Sequence, residues 1–342
     1  MRTLVTGASG FIGSYLCREL CAQGHEVIAL HRPTSLLAGL EGLPVQRVLG
    51  DILDPGSLAR VFDGVEVAFH TAAPMRPEAD GRTAIEAHVL GTRHVLQAAR
   101  RAGVRRLIHT SSVAALGVPD VPPSVSAKDA PLLDERHAWN YLPERWPYAF
   151  AEYSSELEVQ RAVEDGLQAV IVNPSAVFGA GDWYRTSKSL VAHLGRGALT
   201  PVIAGGLNAV HIDDVVAGHL AAVERGRTGE RYILGGENLT LPDMFRITAQ
   251  VVGRRPPRLR IPLWAVPAVR RLLQPARAIL RLPIEPSLLW LAVYYFFYDT
   301  RKSQIELGLP PAKPYRQAAQ DTYAWLLSIG AVPSSRGGDR LV

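Results

Sequence analysis

The chain has 342 residues, of which 47% are hydrophobic and 20% are charged, and its formal net charge is +5 at pH 7. These values are typical of a globular protein with a large core, and a scattered basic excess of this size favours small anionic ligands over nucleic acid. The only cysteines, Cys17 and Cys21, are too few for a zinc site or a secreted disulfide scaffold, so we expect no metal centre.

Short apolar segments alternate with helical patterns from the first residues onward, which is typical of a parallel sheet covered by helices. In chain order, the predicted strands lie near 2–6, 26–30, 46–49, 66–70, 106–110, 169–172 and 231–234. The predicted helices lie near 11–23, 84–102, 148–165, 213–225 and 241–252.

This order predicts an α/β fold, namely a Rossmann-type doubly wound parallel sheet with a smaller C-terminal substrate lobe. Residues 1–172, with a returning strand near 210–235, form the predicted Rossmann domain. Residues 173–209 and 236–330 form the predicted lobe, and residues 331–342 form a tail.

A glycine-rich turn joins the first strand to the first helix in LVTGASGFIGSYL, which contains Gly7, Gly10 and Gly13. Glycine permits a tight turn and lets backbone N–H groups approach a pyrophosphate at the positive end of a helix. Because a strand precedes the turn and a helix follows it, the motif predicts a dinucleotide site. The cofactor-binding residues predicted here are Gly7, Ser9, Gly10, Phe11, Ile12 and Gly13.

The Gly-x-x-Gly-x-x-Gly spacing resembles that of the extended short-chain dehydrogenase/reductases, the NAD-dependent epimerase/dehydratase family. The resemblance continues from residue 2 to about residue 325 through GDILDP (50–55), HTAA (70–73), HTSSVAALG (109–117), VNPSAVFG (172–179) and VHIDDVV (210–216). Within that family, GLNAVHIDDVVAGH (206–219) and GERYILGGENLTL (229–241) look like the hopanoid-associated sugar epimerase branch, near the dihydroflavonol reductases.

The end of the second strand indicates which nicotinamide cofactor is used. Arg32 stands where an NAD enzyme usually carries an acidic residue, and its guanidinium can bind a 2′-phosphate, so we predict NADP(H). The alternative is that Arg32 is a solvated loop residue. The resemblance further implies that Asp51 and Ile52 flank the adenine and that Ala72 and Ala73 line the cofactor.

The resemblance implies a catalytic serine, tyrosine and lysine acting on a carbonyl or alcohol. Ser112 fits the serine, with Ser111 as the weaker alternative, and Tyr148 fits the tyrosine. The family's serine binds the substrate oxygen and its tyrosine transfers the proton. The remaining cofactor contacts implied by the family are Thr110, Ser111, Tyr148, Glu152, Pro174 and Val177.

Two positions depart from the family pattern. Glu152 stands where the family has its lysine, and His88 stands where it commonly has asparagine. A negative charge at Glu152 is expected to raise the pKa of Tyr148, which impairs alcohol oxidation more than carbonyl reduction. We hypothesise that His88 faces Glu152 directly or through one water and forms a replacement proton route. The alternative is that both are structural residues.

The second Tyr-x-x-x-Lys sequence, Tyr184 to Lys188, follows the sixth strand, so we assign it to the substrate lobe and reject it as catalytic. Asp213 and Asp214 are interpreted as caps of the helix that begins there. Pro174 and Ser175 are expected against the nicotinamide. Candidates for lining the substrate pocket, each equally explained as a core residue, are Met75, Val177, Phe178, Trp183 and Tyr184.

Arginines alternate with Leu, Trp and Pro through residues 254–281, and the apolar run 288–297 follows. That run is too short to cross a bilayer, and no signal peptide precedes the first strand, so we expect a cytoplasmic protein. The region is interpreted either as a lobe with a solvated basic rim or as a peripheral membrane contact. The arginines concerned are Arg254, Arg255, Arg258, Arg260, Arg270, Arg271, Arg277 and Arg281.

The sequence therefore predicts an NADP(H)-dependent oxidoreductase of the extended short-chain type, acting on the carbonyl or alcohol of a small or lipid-like substrate. The resemblance also implies a homodimer formed through the helices near 84–102 and 148–165. Two alternatives stay open: a sugar epimerase or dehydratase with transient oxidation, and a non-catalytic NADP(H)-binding sensor or scaffold.

Overall fold

A computed structural model describes residues 1–73, 81–122, 126–184, 189–197, 201–262, 265–269, 271 and 291–333. The predictions for Met75, Lys188, Arg270, Arg277 and Arg281 lie outside the described residues, as do those for most of the tail. Among the described residues, no helix has both the length and the apolar character needed to cross a membrane.

A seven-stranded parallel sheet forms the centre of the fold, with the strand order β10-β6-β5-β4-β1-β2-β3. The order reverses between β1 and β4, so the carboxyl ends of these strands border the crevice in which such sheets bind ligands. The strands are β1 (Arg2–Thr6), β2 (Glu26–His31), β3 (Gln46–Leu49), β4 (Val67–His70), β5 (Arg106–Thr110), β6 (Ala169–Pro174) and β10 (Arg231–Leu234).

Helices cover both faces of this sheet, and its inner strands β1, β4, β5 and β6 are buried on both sides. On one face α1 and α6 bury Leu16, Cys17 and Val215, and on the other face α2, α3 and α4 bury Val95 and Val159. This arrangement confirms the predicted doubly wound α/β fold. The helices are α1 (Phe11–Ala22), α2 (Pro55–Val61), α3 (Gly81–Arg101), α4 (Pro147–Glu164) and α6 (Ile212–Arg225).

A second, smaller sheet has the order β11-β9-β13, with β7 also paired to β9, and a two-stranded sheet joins β8 to β12. These sheets belong to the smaller lobe, whose hydrophobic core contains Val191, Met244 and Tyr315 from three separate helices. The strands are β7 (Ala176–Phe178), β8 (Val202–Ile203), β9 (Gly206–His211), β11 (Glu237–Thr240), β12 (Arg260–Ile261) and β13 (Tyr295–Phe296). The helices are α5 (Leu190–Gly195), α7 (Leu241–Val251), α8 (Arg301–Glu306) and α9 (Tyr315–Ser328).

Candidate active site

The glycine turn after β1 has the backbone geometry that the motif predicts. Gly7 has φ +69°, and a Cβ there would lie 2.7 Å from the backbone nitrogen of Ala72. A Cβ on Gly13 would overlap the carbonyl oxygen of Gly7, so the start of α1 can approach the turn only as glycine. The first turn of α1 carries no acidic residue. Its N-cap residue is Gly10, so no side chain accepts a hydrogen bond from the first N–H groups of the helix. The turn therefore leaves helix N–H groups for a phosphate.

The wall beside this turn is fixed by hydrogen bonds between β1 and β4. The hydroxyl of Thr6 and Nδ1 of His70 are 2.8 Å apart, and the hydroxyl of Thr71 donates to the carbonyl of Thr6 at 2.8 Å. These bonds place Ala72 and Ala73 directly after β4, beside the Gly7 turn. Small side chains here leave the crevice open to a dinucleotide.

The loop after β2 contains Arg32, whose backbone nitrogen donates to the hydroxyl of Ser35 at 3.1 Å. Within the described part of the chain, no carboxylate pairs with the Arg32 guanidinium. After β3, the Asp51 carboxylate accepts from the nitrogen of Leu53 at 3.0 Å. Ile52 is buried against Gly91 of α3. The cation is therefore available to an anion at the edge of the crevice.

The structure distinguishes the two candidate serines after β5. Ser111 is buried and donates to the Glu156 carboxylate at 2.5 Å, so its hydroxyl is already used. Ser112 is half-buried, and its oxygen accepts from the nitrogen of Ala114 at 3.2 Å, which leaves its O–H to donate. This geometry favours Ser112 as the hydroxyl offered to a substrate. The hydroxyl of Thr110 instead contacts Nε2 of His219 at 2.8 Å.

Tyr148 lies in the first turn of α4 and is 48% exposed. Its side chain acts on that of Glu152, one turn further along the helix, in the direction that lowers the pKa of the carboxyl. α4 packs both on α3 and on the short 3₁₀ helix Val113–Leu116 that follows Ser112. The tertiary packing therefore brings the segments of Ser112, Tyr148 and Glu152 to one end of the sheet.

Glu152 and His88 face each other across the α3–α4 contact, with Oε2 and Nε2 separated by 3.8 Å. Both side chains are buried. Burial raises the pKa of Glu152 to about 8, with a smaller opposing effect from the Tyr148 side chain, and burial lowers the pKa of His88 to about 4. Both groups are therefore mostly neutral at pH 7, so the contact is not an ion pair there.

This result corrects the expectation of a negative charge beside Tyr148. In the contact between α3 and α4, which we call the seam, the Glu152 side chain is shielded from water. The free-energy cost of removing a carboxylate from water is not offset by its neighbours, so Glu152 keeps its proton. The 3.8 Å between Glu152 and His88 is short enough for the direct or water-mediated contact that we hypothesised from the sequence. Glu152 is consequently mostly protonated below about pH 8, one helical turn from Tyr148.

Two further buried groups near this site were missed by the sequence reasoning. Glu156 receives hydrogen bonds from Ser111 and from Nδ2 of Asn173, the latter at 2.6 Å, and Nε of Arg231 is 2.7 Å from its other oxygen. His109 packs beside His70 with ring centroids 5.3 Å apart, and burial lowers its pKa well below the usual value. The four-residue spacing from Glu152 to Glu156 was the available signal.

The candidate substrate contacts divide into separate places. Phe178 packs edge-on against Tyr315 in the smaller lobe, with ring centroids 5.0 Å apart, and Trp183 packs against Trp325 at 5.2 Å. Both rings therefore belong to the packing of the lobe. Pro174 is buried at the end of β6, and Val177 is half-buried on β7. The hydroxyl of Ser175 donates to Oδ1 of Asn208 at 2.7 Å.

The prediction that Asp213 and Asp214 cap α6 is wrong in detail. The cap is His211, whose Nδ1 accepts from the nitrogen of Asp213 at 3.0 Å. The two carboxylates bind Lys313 instead: Asp213 contacts its Nζ at 2.6 Å, and Asp214 accepts from its backbone nitrogen at 2.8 Å. They still act as scaffold residues, because they attach the segment before α9 to α6.

Comparison with known proteins adds family information to this geometry. The sequence profile of the NAD dependent epimerase/dehydratase family matches residues 3–235. A Methylococcus capsulatus protein named sterol demethylase protein B is 35% identical and is matched over 97% of this chain and 100% of its own length. A Synechocystis protein provisionally named dihydroflavonol 4-reductase is 34% identical, over 96% and 95% of the two chains. The solved structure of gox2253 is 37% identical, with a TM-score of 0.82 over 97% of this chain and 99% of that one.

Proposed function

The chain belongs to the NAD dependent epimerase/dehydratase family, among the extended short-chain dehydrogenase/reductases, and from this membership we propose that it is an NADP(H)-dependent reductase of a carbonyl group. The observation that carries the proposal is the burial of the Glu152 carboxyl one helical turn from Tyr148, which raises the pKa of Glu152 to about 8. Such a pair is equipped to deliver a proton and poorly equipped to remove one.

The residues of the crevice fit the cofactor. The Gly7 turn and the first turn of α1 would hold the pyrophosphate, because side chains at Gly7 and Gly13 would fill that space. Arg32 would hold the 2′-phosphate that distinguishes NADP from NAD. When bound, NADPH supplies the hydride that adds to the carbonyl carbon.

The proton path uses this chain's own groups. Ser112 donates a hydrogen bond to the substrate oxygen and orients it, and Tyr148 gives its phenolic proton to that oxygen. Glu152 then passes its proton to the tyrosine oxygen and becomes a carboxylate. The carboxylate regains a proton from solvent, and Nε2 of His88 lies 3.8 Å from its Oε2. One proton is consumed for each carbonyl reduced, so the step balances.

This arrangement favours reduction over oxidation. Oxidation requires Tyr148 to lose its proton, and the family's lysine promotes that loss by its positive charge, which Glu152 cannot supply. An epimerase or dehydratase cycle needs an oxidative half-reaction, so the same argument disfavours it. The relatives named for a sterol and for a dihydroflavonol support a polycyclic or lipid-like carbonyl substrate.

The alternative is a protein that binds NADP(H) without catalysis. The observation in its favour is the loss of the family lysine at Glu152. Against it, Ser112 and Tyr148 are both retained, and the geometry of the Glu152 seam gives the tyrosine a proton donor. A cofactor sensor has no need of such a donor.

The test follows NADPH consumption with a panel of ketones, aldehydes and lipid-like carbonyls for the wild type and for Tyr148→Phe, Glu152→Lys and Tyr153→Phe. We expect Tyr148→Phe to lose at least about 100-fold in kcat, since the variant has no phenolic hydroxyl from which to donate a proton. Tyr153 follows Glu152 on α4 and stacks on Trp139, so Tyr153→Phe is the matched control. An inactive wild type beside an active Glu152→Lys variant would favour the sensor.

We also propose that the protein forms a homodimer through α3 and α4. Each helix has an exposed leucine, Leu90 at 41% and Leu157 at 38% exposure. Burying such side chains in a partner helix pair favours association. Light scattering of the purified protein tests the proposal, because Leu90→Glu combined with Leu157→Glu should give a monomer.

A further inference from the structure

The segment 179–184, which follows β7, returns from the smaller lobe to the phosphate loop. Three contacts fix its course. The hydroxyl of Thr322 on α9 exchanges hydrogen bonds with Gly179 at 3.0 and 3.1 Å. The hydroxyl of Tyr15 on α1 donates to the carbonyl of Ala180 at 2.9 Å. The ring of Trp183 packs on that of Trp325 in α9. The segment is therefore attached to both the lobe and the first helix.

Its last described residue, Tyr184, lies against two loops of the dinucleotide crevice. The phenol oxygen accepts from the backbone nitrogen of Leu36 at 3.2 Å and lies 3.5 Å from the hydroxyl of Ser9. Ser9 belongs to the Gly7 turn, and Leu36 belongs to the loop that begins at Arg32. The side chain is 51% exposed, so its position is not imposed by burial in a core.

We propose that Tyr184 is a cofactor-positioning residue that binds the phosphate-bearing adenosine half of the dinucleotide. A phenol can accept one hydrogen bond and donate another at the same time. The oxygen of Tyr184 already accepts from Leu36, so its proton is available to an acceptor. In the crevice between the Gly7 turn and Arg32, that acceptor is a phosphate oxygen, in place of the long contact with Ser9.

This inference rests on the proposed NADP(H) dependence and adds a residue supplied by the smaller lobe. From the sequence, Tyr184 was considered as a lining of the substrate pocket and as part of a second Tyr-x-x-x-Lys motif. The position proposed here differs from both. Since the phenol contacts the phosphate end, it is placed to act on cofactor affinity and on the rate of cofactor release.

The experiment measures the binding of NADP⁺, NAD⁺ and 2′,5′-ADP by calorimetry to the wild type, Tyr184→Phe and Tyr323→Phe. The fragment 2′,5′-ADP carries the adenosine phosphates without the nicotinamide. Loss of one hydrogen bond to a charged group should weaken both NADP⁺ and 2′,5′-ADP about tenfold in Tyr184→Phe, and stopped-flow release of NADPH should be faster to match. Tyr323 lies on α9 beside Gly195, so Tyr323→Phe should bind like the wild type.

The outcomes separate the two proposals. Equal affinity of Tyr184→Phe and wild type for 2′,5′-ADP overturns the role of Tyr184 while leaving the proposed function intact. Tighter binding by Tyr184→Phe overturns it as well, because the phenol would then obstruct the crevice. A wild type that binds NAD⁺ more tightly than NADP⁺ contradicts the proposed cofactor, and one that binds neither removes both proposals. Matching thermal transitions of the three proteins show that the fold is unchanged.

Discussion

The phosphate loop between β1 and α1 and the contact between α3 and α4 differ in how they relate to the family pattern. At the phosphate loop, Gly7 and Gly13 satisfy the motif and the backbone has the geometry it implies. Between α3 and α4, Glu152 and His88, which we expect to depart from the family pattern, meet as a buried, mostly neutral pair. The phosphate loop matches the family pattern, whereas the pair at the proposed proton-transfer end departs from the pattern expected there.

This difference shows which part of such an enzyme tolerates a change in chemistry. The loop is constrained by backbone overlap, since any side chain at Gly13 would meet the Gly7 carbonyl. In the proposed mechanism, the contact between α3 and α4 is required to supply a proton donor to Tyr148. A carboxyl whose pKa is raised by burial meets that need in the reductive direction.

The largest expected effect is on the free energy of unfolding, and it tests whether Glu152 is buried and neutral. Glu152→Gln should stabilise the fold by about 3 to 5 kcal/mol above pH 8 and by almost nothing near pH 4. Burial raises the folded-state pKa of Glu152 to about 8. The unfolded chain therefore loses that proton at lower pH, and the penalty on the wild type grows from about pH 4.5 to about pH 8. Urea unfolding at several pH values measures it.

A control on the same helix has the opposite sign. Arg93 beside Glu158, at 2.8 Å, holds the pKa of that carboxyl below its usual value. Its stabilising contribution is therefore present above the unfolded-state pKa and is lost as the pH falls, so Glu158→Gln should destabilise the fold at neutral and high pH. If the two variants shift stability in the same direction at pH 8, the assignment of a buried neutral Glu152 is wrong.

The second prediction concerns the phosphate loop. Gly7→Ala should weaken NADP⁺ binding by about 100-fold, because the methyl group would meet the backbone of Ala72. Gly24→Ala is the matched control, since Gly24 also has positive φ, at +77°, but has open space around its Cβ position. Both variants carry the same backbone strain, so equal cofactor affinity in calorimetry would contradict the role of the turn.

A smaller effect is expected at the adenosine end. Arg32→Ala should lower the affinity for NADP⁺ about tenfold and leave that for NAD⁺ unchanged, because only the 2′-phosphate contact is lost. Arg60→Ala, at an exposed position on α2, serves as the control. Equal losses for the two cofactors in a binding titration would show that Arg32 does not read the 2′-phosphate.

The smallest expected effect concerns His88, which lies beside Glu152, and it is an effect on the pH dependence of kcat. Reduction should slow as the pH rises through about 8, where Glu152 loses its proton. His88→Asn leaves a smaller side chain beside the carboxyl and admits water, so this alkaline limb should move toward lower pH by less than about one unit. The dependence of kcat on pH gives the result. A limb that stays in place in the variant would show that His88 does not influence the pKa of Glu152.

Much of the fold was predictable, because buried parallel strands are continuous apolar runs. The predicted strands at 2–6, 46–49, 106–110 and 231–234 coincide with those observed. The short helices α2, α5 and α8 were not predicted, and neither was the 14-residue α9. Helices of six or seven residues carry too few turns for a clear period.

At the candidate site, the sequence by itself determined the phosphate loop, since the glycine requirement is a matter of local backbone overlap. It also located Ser112, Tyr148 and the changed position Glu152. Only the tertiary structure decided that Glu152 is buried against His88, that Ser111 is used by Glu156, and that Tyr184 reaches the phosphate loop. Protonation and hydrogen-bond partners depend on which distant segments remove water from a group, and spacing along the chain does not encode that.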